Sequence, residues 1–105
     1  MSNEPTTFND AIHTIAAEIA DLVTSKQRDY GTSNILNSPF GAEHGIIVRL
    51  YDKLSRLANL TKKSKNPVNE PIEDSWKDVA GYSLIALMVR RGTFELPLAD
   101  ERKNR

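Results

Sequence analysis

HGIIVRLYDKLSRLANL, residues 44–60, decides the fold. Ile47, Leu50, Leu54, Leu57 and Thr61 recur at three- and four-residue steps, the period of one face of an α-helix. Helix two is therefore expected from about Ala42 or Gly45 to Leu60, with Tyr51 and Ala58 flanking the stripe. With each residue stepped by about one hundred degrees, Arg49, Asp52, Arg56 and Asn59 fall almost opposite the apolar residues. Alone, that stripe reads as a solvated face. Arg49 and Arg56, however, bracket Asp52 at i−3 and i+4, and Val48 and Leu60 lie close to the same side.

Outward from this segment the same period returns twice. Phe8, Ile12, Ile15, Ile19 and Leu22 place helix one at about Phe8 to Arg28, with Thr7 and Asp10 as a capping-box-like start. Glu70, Pro71, Glu73 and Asp74 are good first-turn residues, and Arg90, Arg91 and Gly92 form a stop signal, so helix three runs from Pro71 to Arg90 or Arg91. Its second half, LIALMV, is apolar on every side, so helix three is expected to be the central, most buried helix, with an oligomer interface as a further use of that surface. Lys62, Lys63 and Lys65 favour the C-terminal end of helix two, and Asn66-Pro67 stops it. RDYGTSNILNSPFGAEHG, residues 28–45, has no sustained period and reads as a long irregular loop, a common place for function.

No strand pair or repeat is visible. The expected fold class is all-α: one domain over residues 1–105, a small bundle of three long helices, ordered over about 7–98 with flexible ends, in an oligomer such as a dimer or tetramer. At 105 residues a single chain buries a modest fraction of its surface, and self-association would add to it.

Fourteen acidic and fourteen basic residues balance, so bulk charge favours neither nucleic acid nor a membrane. A small charged ligand remains open. The absence of cysteine excludes a disulfide framework, a thiolate metal site and a cysteine nucleophile. The opening MSNEPTTFND lacks the basic start and apolar core of a signal peptide, and a cytoplasmic location is expected. Neither His13 nor His44 has a partner at metal-ligand spacing, and each reads as exposed or capping.

The chemistry-bearing candidates are carboxylates and cations. Glu18 and Asp21 leave the isoleucine face of helix one, Asp52 sits on helix two, and Asp74 and Asp78 stand at i and i+4 on helix three. Oxygen ligands from several helices would suit Mg²⁺; the bland alternative is a local ion pair for each. Gly81, one turn beyond Asp78, costs about 1 kcal/mol of helix propensity and could leave room beside that carboxylate. Lys26, Arg28, Arg49, Lys53 and Arg56 supply cations for phosphate, without a glycine-rich phosphate loop. Tyr30, Phe40, Tyr51 and Trp76 are candidates for base stacking, with core packing the better reading of Tyr51 and Trp76.

KQRDYG (26–31), GIIVRLYDKLSRLANL (45–60) and EPIEDSWKDVAGYSLIAL (70–87) together resemble the nucleotide modification associated domain type 1 family, small proteins frequent in phages and prophages. More distantly, the helical layout is similar to that of MazG-like and dUTPase-like all-α nucleoside triphosphate pyrophosphatases, which hold Mg²⁺ with E-x-x-E and E-x-x-D pairs. This chain departs from that pattern, with Glu18-x-x-Asp21, a single Asp52, and Asp74-x-x-x-Asp78.

The resemblance implies a Mg²⁺-dependent pyrophosphohydrolase-like protein acting on a free nucleoside triphosphate, in the host cytoplasm if phage-encoded. In it Glu18 and Asp78 are the catalytic candidates, and Glu18, Asp21, Asp52, Asp74 and Asp78 the metal ligands. Lys26, Arg28, Asp29 and Tyr30 of the K-x-x-D-Y-G motif, with Arg49, Lys53 and Arg56, would bind the nucleotide. The alternative is a non-catalytic protein that sequesters a nucleotide, for instance a cyclic or signalling one in evasion of host defence. A third reading is a structural helical oligomer that binds no nucleotide.

Overall fold

The computed structural model describes residues 4–63 and 69–99 of the 105-residue chain. It contains α1 (Phe8–Tyr30), α2 (Ser33–Leu36), α3 (Ala42–Lys63) and α4 (Asn69–Arg90), and no strand among the described residues. The expected helices one, two and three are α1, α3 and α4. Lys65 and the Asn66-Pro67 stop lie outside the described residues.

Local chemistry sets the helix ends. Thr7 Oγ1 accepts the Asp10 N–H at 3.1 Å and starts α1, and Gly31, at φ 69°, closes it. Beyond α4, Gly92 takes the left-handed conformation at φ 71°. Its N–H donates to Val89 O at 3.2 Å, and that of Thr93 to Met88 O at 2.9 Å. This pair of bonds is the Schellman arrangement.

The fourth helix, α2, lies within the segment expected to be irregular. Thr32 O accepts from the Ile35 and Leu36 N–H groups, and Ile35 is buried. Four residues are too few to show a period; the apolar Ile35-Leu36 pair is the only trace of α2 in the sequence. Ile35, Ile46 and Phe94 form the centre of the core, with Leu50, Tyr82, Ile85, Ala86 and Val89 packed around them. Helix α4 lies against both α3 and α1, and α2 lies on α3.

Several expected faces are rotated. Ile46, Leu50, Lys53, Leu57 and Leu60 turn inward from α3, whereas Ile47 and Leu54 stay 45% and 47% exposed. Arg49 and Lys53 therefore lie beside the packed face, not opposite it. Long cationic side chains can do this by laying their methylene stems on apolar surface while the charge stays wet. Helix α4 is the central helix expected, lying against both α1 and α3, but its second half is not buried on every side: Ile85, Ala86 and Val89 pack on the core, while Leu84, Leu87 and Met88 are exposed. Tyr51 and Trp76 are likewise exposed, against the expectation of core packing.

Gly81 serves a purpose other than room for a carboxylate. A β-carbon there would stand 3.1 Å from Val23 Cγ2 of α1, so the missing side chain permits close approach of α1 to α4. Gly45 is similar, since a β-carbon would collide with Ser38 Oγ. Gly81→Val should overpack the α1–α4 crossing and cost about 1–3 kcal/mol, read as a lowered urea midpoint. Unchanged stability would show that α1 is not held at this point.

Candidate functional site

The three long helices converge on one carboxylate. Asp78 of α4 accepts Lys26 Nζ of α1 at 2.9 Å on one oxygen and Lys53 Nζ of α3 at 3.0 Å on the other. Its side chain is 15% exposed, against 49% for Lys26 and 32% for Lys53. Burial pushes the Asp78 carboxyl pKa up, but the hydrogen bonds and positive charges of Lys26 and Lys53 outweigh it and hold the group below its ordinary value. Asp78 is thus a carboxylate stabilised in its charged form.

Two clefts meet at this cluster. The first, about 280 Å³, lies between α1 and α4. Leu22, Val23, Ile85 and Phe94 supply its apolar surface, Lys26, Lys77 and Asp78 its charges, and Tyr30 and Tyr82 its rings. Gln27 Nε2 donates to Phe94 O at 3.2 Å and so ties α1 to the segment after α4. The second cleft is more open and is lined by Arg49, Asp52, Lys53, Arg56, Asn59, Leu60 and Tyr82. Tyr82 borders both clefts.

The Arg49 guanidinium is anchored on its loop side, where Nη2 donates to Asn34 O at 3.0 Å. Its Nη1 is buried and lacks a hydrogen-bond partner. That nitrogen stands 3.6 Å from the position a Gly45 β-carbon would take, so a side chain at residue 45 would press on the arginine.

Of the residues expected at the site, the fold gathers Lys26, Tyr30 and Asp78 in the first cleft and Arg49, Asp52, Lys53 and Arg56 in the second. Asp21, Arg28, Asp29 and Asp74 are exposed and line neither. Glu18 instead faces Lys77 at 3.8 Å. Phe40, with φ 65°, is 92% exposed and packs edge-on to His44 at 5.7 Å between ring centres, away from both clefts. Sequence reasoning passed over Tyr82, Lys77, Gln27 and Phe94. Only tertiary contact gives them a role, although Tyr82 follows Asp78 by one helical turn.

Among the described residues no group of three or more histidines and carboxylates is placed to hold a metal ion. The oxygens of Asp78 already face ammonium groups, a donor set that suits a salt cluster rather than a hard cation.

A sequence model of the family described as nucleotide modification associated domain 1 matches residues 26–89. The chain belongs to this family. No curated protein and no solved structure matches it. In this family member the matched block begins at Lys26 and contains Lys53, Asp78 and Tyr82, whereas Leu22, Val23 and Phe94 of the first cleft lie outside it. Among the described residues no helix is long and apolar enough to cross a membrane.

Asp78 is expected to carry both stability and acid sensitivity. An aspartate that ionises near pH 3.9 when unfolded and lower when folded contributes stability that is complete above that pH. The contribution is lost as pH falls through the folded value. Asp78→Asn should cost about 1–2 kcal/mol at pH 7, discounted for the partly exposed lysines. It should also flatten the loss of stability between about pH 5 and 2, both read from urea midpoints across that range. Equal acid sensitivity in the two proteins would remove this role.

Proposed function

We propose that the protein binds a free nucleotide, with base and sugar in the α1–α4 cleft and phosphates on the cations of α1 and α3. The observation that carries this reading is the Lys26–Asp78–Lys53 cluster, which joins an apolar cleft edged by Tyr30 and Tyr82 to a surface of Arg49, Lys53 and Arg56. A cleft of about 280 Å³ is near the lower end of the roughly 300–1,000 Å³ usual for small-molecule sites. It suits the nucleoside part better than a whole triphosphate. Arginines offer paired donors to phosphate oxygens and the lysines a point charge. The family description, which concerns nucleotide modification, is compatible with such a ligand.

Binding is favoured over Mg²⁺-dependent pyrophosphohydrolysis because the carboxylates that would hold the metal are dispersed or paired with lysines. Metal-dependent hydrolysis would require Asp78 to exchange its two ammonium partners for a metal, and among the described residues no group of three or more histidines and carboxylates is placed to hold one. In the binding reading the ligand's own negative charge competes with Asp78 for Lys26 and Lys53. The protein would then act by sequestering or presenting a nucleotide.

Calorimetric titration with a panel of mono-, di- and triphosphate and cyclic nucleotides, in EDTA and in Mg²⁺, tests this, with chromatography of the mixture for products. Expected are binding that survives EDTA, no product, and at least a tenfold weaker affinity in Lys53→Ala or Arg56→Ala, about 1.4 kcal/mol. Turnover that needs Mg²⁺ and disappears in Asp78→Ala would replace this reading by the hydrolytic one. No binding by any member of the panel would reject both.

A further inference from the structure

The charges around the two clefts do not cancel. Among the described residues that line them, the cations are Lys26 and Lys77 in the first and Arg49, Lys53 and Arg56 in the second. Against these five stand Asp78 in the first cleft and Asp52 in the second. Glu18 lines neither cleft but faces Lys77 at 3.8 Å and offsets it. Five cations less three carboxylates leave two positive charges in excess. The bond from Arg49 to the Asn34 carbonyl does not alter this balance, because that acceptor is neutral.

We propose that the ligand is a nucleoside monophosphate, and that Asp78 sets this preference by holding the excess charge of the site to that of one phosphate monoester; this rests on the nucleotide reading and narrows it. A phosphate monoester carries about −1.5 to −2 at pH 7, which the excess matches. A cyclic phosphodiester has no second ionisation and leaves part of the excess unmet. A triphosphate brings more negative charge than the clefts can neutralise. Attraction to the site grows in proportion to the ligand's charge, whereas the cost of taking that charge out of water grows with its square. Binding is therefore best where ligand and excess balance, and phosphates beyond that point have no cation left to meet them.

Asp78 is placed to fix that balance. Its two oxygens hold Lys26 at 2.9 Å and Lys53 at 3.0 Å, and its side chain is 15% exposed. An incoming phosphate has to draw both ammonium groups from a carboxylate that they keep ionised. A single negative charge would only replace the one already there, whereas a dianion gains from both lysines at once. Asp78 itself stays on the wall of the first cleft, where it goes on repelling the ligand and limits how much negative charge the site accepts. The size of that cleft, about 280 Å³, agrees with a nucleoside seated inside and one phosphate at the mouth.

Calorimetric titration of the whole chain in EDTA and low-salt buffer, where exposed charges are least screened, tests the proposal. The ligands are the mono-, di-, tri- and cyclic monophosphates of each common nucleoside. For the base that binds best, the monophosphate is expected to bind roughly tenfold tighter than the cyclic form, and the triphosphate no tighter than about threefold over the monophosphate. Asp78→Asn raises the excess to three charges and should move the preference toward the triphosphate, improving its affinity relative to the monophosphate by roughly tenfold. A merely structural Asp78 would weaken every ligand alike. Asp52→Asn, at an exposed position of the second cleft, makes the same change of charge without touching the lysine cluster. It should shift the preference in the same direction, and it carries the test if circular dichroism shows that Asp78→Asn is unfolded. A wild type that binds the triphosphate roughly tenfold tighter than the monophosphate, or the cyclic form equally well, overturns the proposal and leaves the nucleotide reading standing. So does an unchanged order of preference in both variants. No binding by any ligand rejects the nucleotide reading, and the proposal with it.

Discussion

Two ammonium groups on one carboxylate hold the three long helices in register. Asp78 reaches α1 through Lys26 and α3 through Lys53. Helix α1 buries no residue completely. It is held by this cluster, by Gln27 on the Phe94 carbonyl, by the Lys77–Glu18 pair, and by the close approach of Val23 to Gly81. A partly buried charge with two partners resists loss of either one, because the remaining groups are left with charge that burial penalises. The same arrangement keeps two cations at the mouth of a cleft.

Much of this could be read from the chain, and the misses share a cause. Thr7 and Gly92 were legible as helix ends because capping depends on residues within a turn of one another. The inward face of α3 was not. Ile46 and Ile47 are equivalent in composition, and only the partner helix decides that Ile46 turns in while Ile47 turns out. The charges followed the same rule: Arg49 appears solvated on a helical wheel, yet α2 places the Asn34 carbonyl before it, and α4 places Asp78 before Lys53. Asp78 stands out in the sequence by its i, i+4 spacing from Asp74, but only the packing of α1 and α3 decides that it faces lysine.

The site is assembled from more than the segment that defines the family. Lys26, Lys53, Asp78 and Tyr82 lie within residues 26–89, but Leu22 and Phe94, on either side of that block, complete the first cleft. Family membership therefore bears most directly on the charged centre, and the flanking residues shape what can enter beside it. A chain with no net charge still concentrates Arg49, Lys53 and Arg56 on one surface, with Asp52 the only acid among the described residues that line that cleft.

The bond from Gln27 to the Phe94 carbonyl spans 67 positions, and this separation has a consequence for synthesis. Helix α1 is complete as a local structure once Gly31 has been made, yet the floor of its cleft arrives only with residue 94. Contacts so distant along the chain form late and slow the final assembly. While the chain is being made, the α1 stripe therefore lacks its support, and the α1–α4 cleft is incomplete until residue 94 has emerged.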